Sequence, residues 1–107
     1  MNINKKAYDF ALFIKSTDEF KNLQRYKLEI DKNKVLKRQL DSYINQKNDI
    51  YSKYDASSSR KLILKLDDKY SDFFKSPIVS KYIEATNEFN KMMQDLYSLI
   101  EKELLKK

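Results

Sequence analysis

Glu84 and Glu88 stand one helical turn apart, and Asp68 and Asp72 repeat that spacing with Asp67 beside them. Carboxylates at i and i+4 share a helix face. There they can divide acid and base work or hold a hard cation through oxygen. Helical di-iron sites complete such a set with histidine from a Glu-x-x-His pair, and this sequence contains no histidine. It contains no cysteine, which removes thiol nucleophiles, disulfides and thiolate metal ligands. It contains no glycine, so no phosphate-cradling loop of the P-loop or dinucleotide type is present. Both carboxylate groups therefore read as solvated helix surface; the absences remove most routes to an enzyme without forbidding one, and no catalytic residue, metal or cofactor is expected.

Cations offer the second chemistry. The net charge is +6, and two stretches concentrate it: KNKVLKR, with Lys34, Lys37 and Arg38, and RKLILK, with Arg60, Lys61 and Lys65. Arg60 and Lys61 stand at an expected helix start, where the helix dipole disfavours cations. Such residues, with some of the eight tyrosines as stacking platforms, would suit RNA or DNA. Most lysines are nevertheless interleaved with acids, as on a solvated face. Tyr43, Tyr54, Tyr70 and Tyr82 fall in apolar stripes, which places them in a core or interface. A basic nucleic-acid module is thus the alternative reading, with steep salt dependence of binding as its signature.

The elements that must carry these side chains are helices. Ile3, Ala7, Phe10 and Ile14 recur at helical spacing. In STDEF, Ser16 can cap a second helix with Glu19 completing a capping box. Asp31 marks a further junction, after which Leu36, Leu40, Tyr43, Ile50 and Tyr54 continue an apolar face. DASSSRK reads as a loop whose serines can cap the next stripe, Leu62, Leu66, Tyr70 and Phe73 or Phe74. The only proline, Pro77, follows Ser76; at the first helical position its missing amide costs nothing. Helices are expected over roughly 3–15, 17–30, 32–54, 59–75 and 77–105 in a single all-α domain, a short antiparallel hairpin bundle ending in a long helix.

That last helix carries two adjacent stripes. One runs through Tyr82, Ala85, Phe89, Met92, Leu96 and Leu99. The other runs through Val79, Ile83, Thr86, Asn90, Met93, Tyr97, Ile100 and Leu104. One neighbour needs one stripe of about 100°, so a doubled stripe implies a second neighbour, in another subunit or, as the alternative, around a central helix of a monomeric bundle. Val79, Ile83, Met93, Tyr97 and Ile100 are the residues offered to another subunit, with Met93 and Tyr97 as anchors.

At 107 residues a single domain with its own core is expected. No apolar run approaches the roughly 20 residues of a membrane span. The start, MNINKKAYDF, lacks the apolar segment of a secretory signal, so a cytoplasmic protein is expected.

Nearly the whole chain resembles the YlbF/YmcA family of small helical bacterial proteins. The likeness rests on YDFALFIKSTDEF, on EIDKNKVLKRQLDSY and, most strongly, on SPIVSKYIEATNEFNKMMQDLYSLI, where a small polar residue and proline precede Tyr82, Ala85 and Phe89. It implies a helical fold that self-associates and a non-enzymatic role. Better-known members act in a multiprotein complex that adjusts mRNA processing by the endoribonuclease RNase Y, with effects on competence, sporulation and biofilm formation. Some members carry iron–sulfur clusters on cysteines, a property this cysteine-free chain does not share.

Overall fold

Why each helix begins where it does is visible in its first turn. In the computed structural model, which describes residues 2–106, six helices follow one another: α1 (Ile3–Lys15), α2 (Asp18–Asp31), α3 (Lys34–Lys53), α4 (Ala56–Lys69), α5 (Ser71–Lys75) and α6 (Pro77–Leu105). Among the described residues there is no strand. Asn2 caps α1 by accepting from the Lys5 amide at 3.1 Å. Thr17, not Ser16, caps α2, its Oγ1 accepting from the Phe20 amide at 3.2 Å. Ser16 closes α1 instead, and its hydroxyl donates to the Phe13 carbonyl. Asn33 replaces the expected Asp31 as the cap of α3, accepting from the Val35 and Leu36 amides. Asp55 takes the capping role expected of the serines behind it and receives the Ser58 amide at 2.7 Å. These shifts have one cause. Several cap-competent residues stand together at each junction, and the end of the preceding helix selects among them.

Pro77 opens α6. Ser76 before it is extended, with φ −58° and ψ 130°, as the proline ring demands of its neighbour. The stripe expected as one helix over 59–75 is divided. Tyr70, with φ −100° and ψ 16°, separates α4 from α5.

The chain forms two compact units: Leu28–Ser80, and the segments on either side of it. In the first, α3 and α4 are antiparallel and closely packed, with Ile50 opposite Ser59, Tyr43 opposite Asp67 and Ser42 opposite Tyr70. Leu40, Tyr43, Leu66 and Phe73 are buried there, and Ile30 and Val79 are wholly excluded from solvent. Aromatic edges meet faces: Tyr43 lies 5.4 Å from Tyr70 and 5.0 Å from Phe74, the latter pair perpendicular. The second unit holds α1, the start of α2 and most of α6; Phe20 of α2 meets Phe89 of α6 at 6.1 Å between ring centroids.

Candidate functional site

The carboxylates of the sequence reading separate into different roles. Asp67 is half-buried and accepts the Tyr43 hydroxyl at 2.5 Å, joining α3 to α4. Burial, reinforced by that bond and by the Asp67 charge, pushes the Tyr43 phenol well above its ordinary pKa. A tyrosine in an apolar stripe needs a partner for its hydroxyl. That requirement was the signal for Asp67, which composition alone presents as one acid among many. Beside it, the Tyr70 hydroxyl donates to Ser42 at 2.9 Å and accepts from Gln46 at 2.8 Å. Asp68, Asp72, Glu84 and Glu88 are exposed. Among the described residues no three carboxylates converge as a metal site.

The basic candidates, Lys34, Lys37, Arg38, Arg60, Lys61 and Lys65, are all exposed, but they do not form one patch. Arg60 and Lys61 sit beside the α3–α4 turn, whereas Lys34, Lys37 and Arg38 sit at the far end of the antiparallel pair. At 1.5 Å per helical residue the two clusters are about 20 Å apart along α3. At the turn itself, Tyr51, Tyr54 and Arg60 border a shallow hollow. Two anions stand nearby: Asp49, already paired with Lys53 at 3.1 Å, and Asp55, whose carboxyl is held below its usual pKa by the Ser58 amide.

The interface candidates divide along α6 and not around it. Val79 is 0% exposed, so it is a core residue of its own chain and leaves the expected interface. Full enclosure of its side chain leaves nothing to offer a partner. Ile83 and Met93 are half-buried, while Tyr97 and Ile100 are 59% and 45% exposed. The neighbouring stripe behaves alike: Ala85 is buried, Met92 and Leu96 are half-buried and Leu99 is exposed. From Tyr97 onward every described residue faces solvent, Leu104 and Leu105 among them.

Two features had escaped the sequence reading. No residue of α1 is buried, and Tyr8, Leu12 and Phe13 are exposed on a helix expected to use only its Ile3–Ala7–Phe10–Ile14 face. Tyr8 and Leu12 lie one turn apart on the opposite side, a spacing readable from sequence but masked by the stronger stripe. The second feature is an open groove of about 530 Å³ within this unit, between α2 and α6. Asp18 and Glu19 stand on one wall, Glu88 and Asp95 on the other, and Met92 and Leu96 are among its apolar lining. In a chain of net charge +6 this groove is acidic, with Lys91 as its one cation among the described residues.

Neither the curated proteins nor the solved structures hold a match to this chain. Residues 3–104, by contrast, match the family described as control of competence regulator ComK, YlbF/YmcA. With that match covering all but the extreme ends of an all-helical chain whose long last helix starts at Ser76–Pro77, the protein belongs to the YlbF/YmcA family of regulators.

Proposed function

We infer that the protein is a non-enzymatic, cytoplasmic adaptor that associates with itself and with protein partners. Its place is in a complex modulating RNase Y-dependent mRNA processing, and so competence, sporulation or biofilm formation. One observation carries the reading: apolar side chains of α1 and the end of α6 are exposed together in one unit, with Ile3, Leu104 and Leu105 more than three-quarters exposed. On α6, Tyr97, Ile100 and Leu104 follow one another at helical spacing and are all exposed, and an exposed apolar run beyond scattered single residues marks an association site. Family membership supports a regulatory role, and the exposed part of the expected interface, Tyr97 and Ile100, lies on the same exposed stretch of α6 as Leu104.

The test is made in the native host. Tagged protein should co-purify with RNase Y and with other YlbF/YmcA-type proteins, and deletion should change the 5′ ends of RNase Y-cleaved transcripts. Unchanged transcript ends would remove the RNase Y assignment. The Tyr51–Tyr54–Arg60 hollow favours the second reading, a nucleic-acid contact. Binding of single-stranded RNA whose affinity falls steeply between 50 and 200 mM salt, to the extent expected of several phosphate contacts, and is lost in Arg60→Glu, would establish it.

A further inference from the structure

The exposed side of α1 has a definite composition. Lys5, Tyr8, Leu12 and Lys15 follow one another at steps of three, four and three, which aligns them on one helix face. All four are exposed. This face is thus two apolar side chains bracketed by two cations. The helix as a whole carries three lysines against one aspartate.

The α2–α6 groove has the opposite composition. Met92, Leu96 and Leu99 supply apolar lining, and Asp18, Glu19, Glu88 and Asp95 outnumber Lys91. Its length also suits a helix. From Glu88 to Leu99, α6 rises about 17 Å, and from Lys5 to Lys15, α1 rises about 15 Å, at 1.5 Å per residue. Charge complementarity of this kind fixes register and disfavours wrong partners more than it adds raw affinity.

We propose that the groove between α2 and α6 receives the Lys5–Tyr8–Leu12–Lys15 face of α1 from a second copy of this chain. The inference rests on the association reading above and gives it a contact. Tyr8 and Leu12 seat against Met92, Leu96 and Leu99, while the lysines meet the acids of the groove walls. Made reciprocally, the contact closes a twofold pair in which each copy gives one α1 and fills one groove.

A charge swap tests the pairing. One variant carries Lys5→Glu and Lys15→Glu; the other carries Glu88→Lys and Asp95→Lys. All four positions are exposed, so both variants should keep wild-type helix content by circular dichroism. Light scattering and sedimentation at high micromolar concentration should show a wild-type dimer. Each variant alone should associate at least about tenfold more weakly, because like charges then face each other. An equimolar mixture should recover the dimer, since acidic α1 meets basic groove and basic α1 meets acidic groove. A monomeric wild type would overturn the inference, as would variants that dimerise normally or a mixture that stays monomeric. Co-purification with RNase Y alongside a monomeric wild type would leave the adaptor reading standing and this contact refuted.

Discussion

Leu28–Ser80 and the segments flanking it use similar amphipathic patterns to different ends. Among the described residues, every buried side chain but Ala85 belongs to Leu28–Ser80. There the α3–α4 pair is cross-braced by Tyr43–Asp67 and Tyr70–Ser42 hydrogen bonds, and Leu40, Tyr43 and Leu66 are buried within the chain while Val35, Tyr51, Tyr54 and Leu64 stay exposed. In the flanking unit α1 buries nothing fully, and α6 runs on through Tyr97, Ile100 and Leu104 in solvent. Periodicity reports that a helix has an apolar face; it does not report whose surface will cover it. The buried core lies in the first unit, the association reading proposed above assigns contact to the second, and that division can be attacked by mutation.

The largest effect should come from emptying the hairpin core. Leu66, 6% exposed, should cost about 2–5 kcal/mol as Leu66→Ala, through lost burial and the cavity left behind. The same truncation at Leu104, 78% exposed, should stay within about 0.5 kcal/mol in dilute protein. Urea unfolding of both variants at low micromolar concentration measures the contrast. Equal losses would mean that the end of α6 is covered in the isolated chain, and the division between the units would fall.

Next comes the brace between α3 and α4. Tyr43→Phe removes the donor from half-buried Asp67 and should cost about 1–3 kcal/mol. The Tyr43 phenol pKa is raised on folding, so the folded state holds this proton more tightly. Its contribution is therefore complete below the unfolded tyrosine value of about 10 and is lost as pH rises above it. Unfolding midpoints followed from pH 8 to 11 should fall more steeply in the wild type than in Tyr43→Phe. Parallel curves would detach the brace from the hairpin's stability.

Helix starts were readable in part, the division was not, and the difference has a physical origin. The ranges of α1 and α6 coincide with those expected from the Ile3–Ile14 stripe and from Ser76–Pro77, because proline and strong periodicity are local signals. The interruption at Tyr70 was not readable. Its hydroxyl answers to Ser42 and Gln46, 28 and 24 residues away, and its ring to Tyr43, which are tertiary demands. Val79 reads as an interface residue from sequence because a core stripe and an interface stripe have the same spacing. The acidic groove was missed because Asp18 and Glu19 are far in sequence from Glu88 and Asp95, and only the fold lines a groove with both pairs.

Smaller effects belong to the helix starts. Asn33→Ala removes an acceptor from two α3 amides and should cost about 1 kcal/mol. Asn2→Ala should cost the isolated chain less, since α1 has no buried residue for its cap to hold in place. Thermal unfolding of the pair ranks them, and a larger loss at Asn2 would show α1 to be integral to the stable part of the fold. Asp55, its pKa lowered by the Ser58 amide, contributes above the usual carboxylate value of about 4 and loses that contribution as pH falls through its own lowered value. Asp55→Asn should accordingly flatten the acid limb of the stability profile while leaving neutral pH nearly unchanged.

The smallest effect on folding should be at Tyr97, and there the comparison becomes sharpest. Tyr43 and Tyr97 are both tyrosines in apolar helical stripes, one 8% and the other 59% exposed. Tyr97→Glu places a charge in water and should change monomer stability by no more than about 0.5 kcal/mol. In an association surface the same change buries a charge without a partner, which is costly. Helix content should therefore persist while light scattering at high micromolar concentration reports weaker association than wild type. Adding Met93→Glu should weaken association further and begin to cost stability, because Met93 is already half-buried in its own chain. If Tyr97→Glu alone destabilised the chain as much as Leu66→Ala, Tyr97 would be a core residue. The exposed stretch of α6 would then be part of a closed unit, and the surface assigned to association would have to be sought on α1 alone.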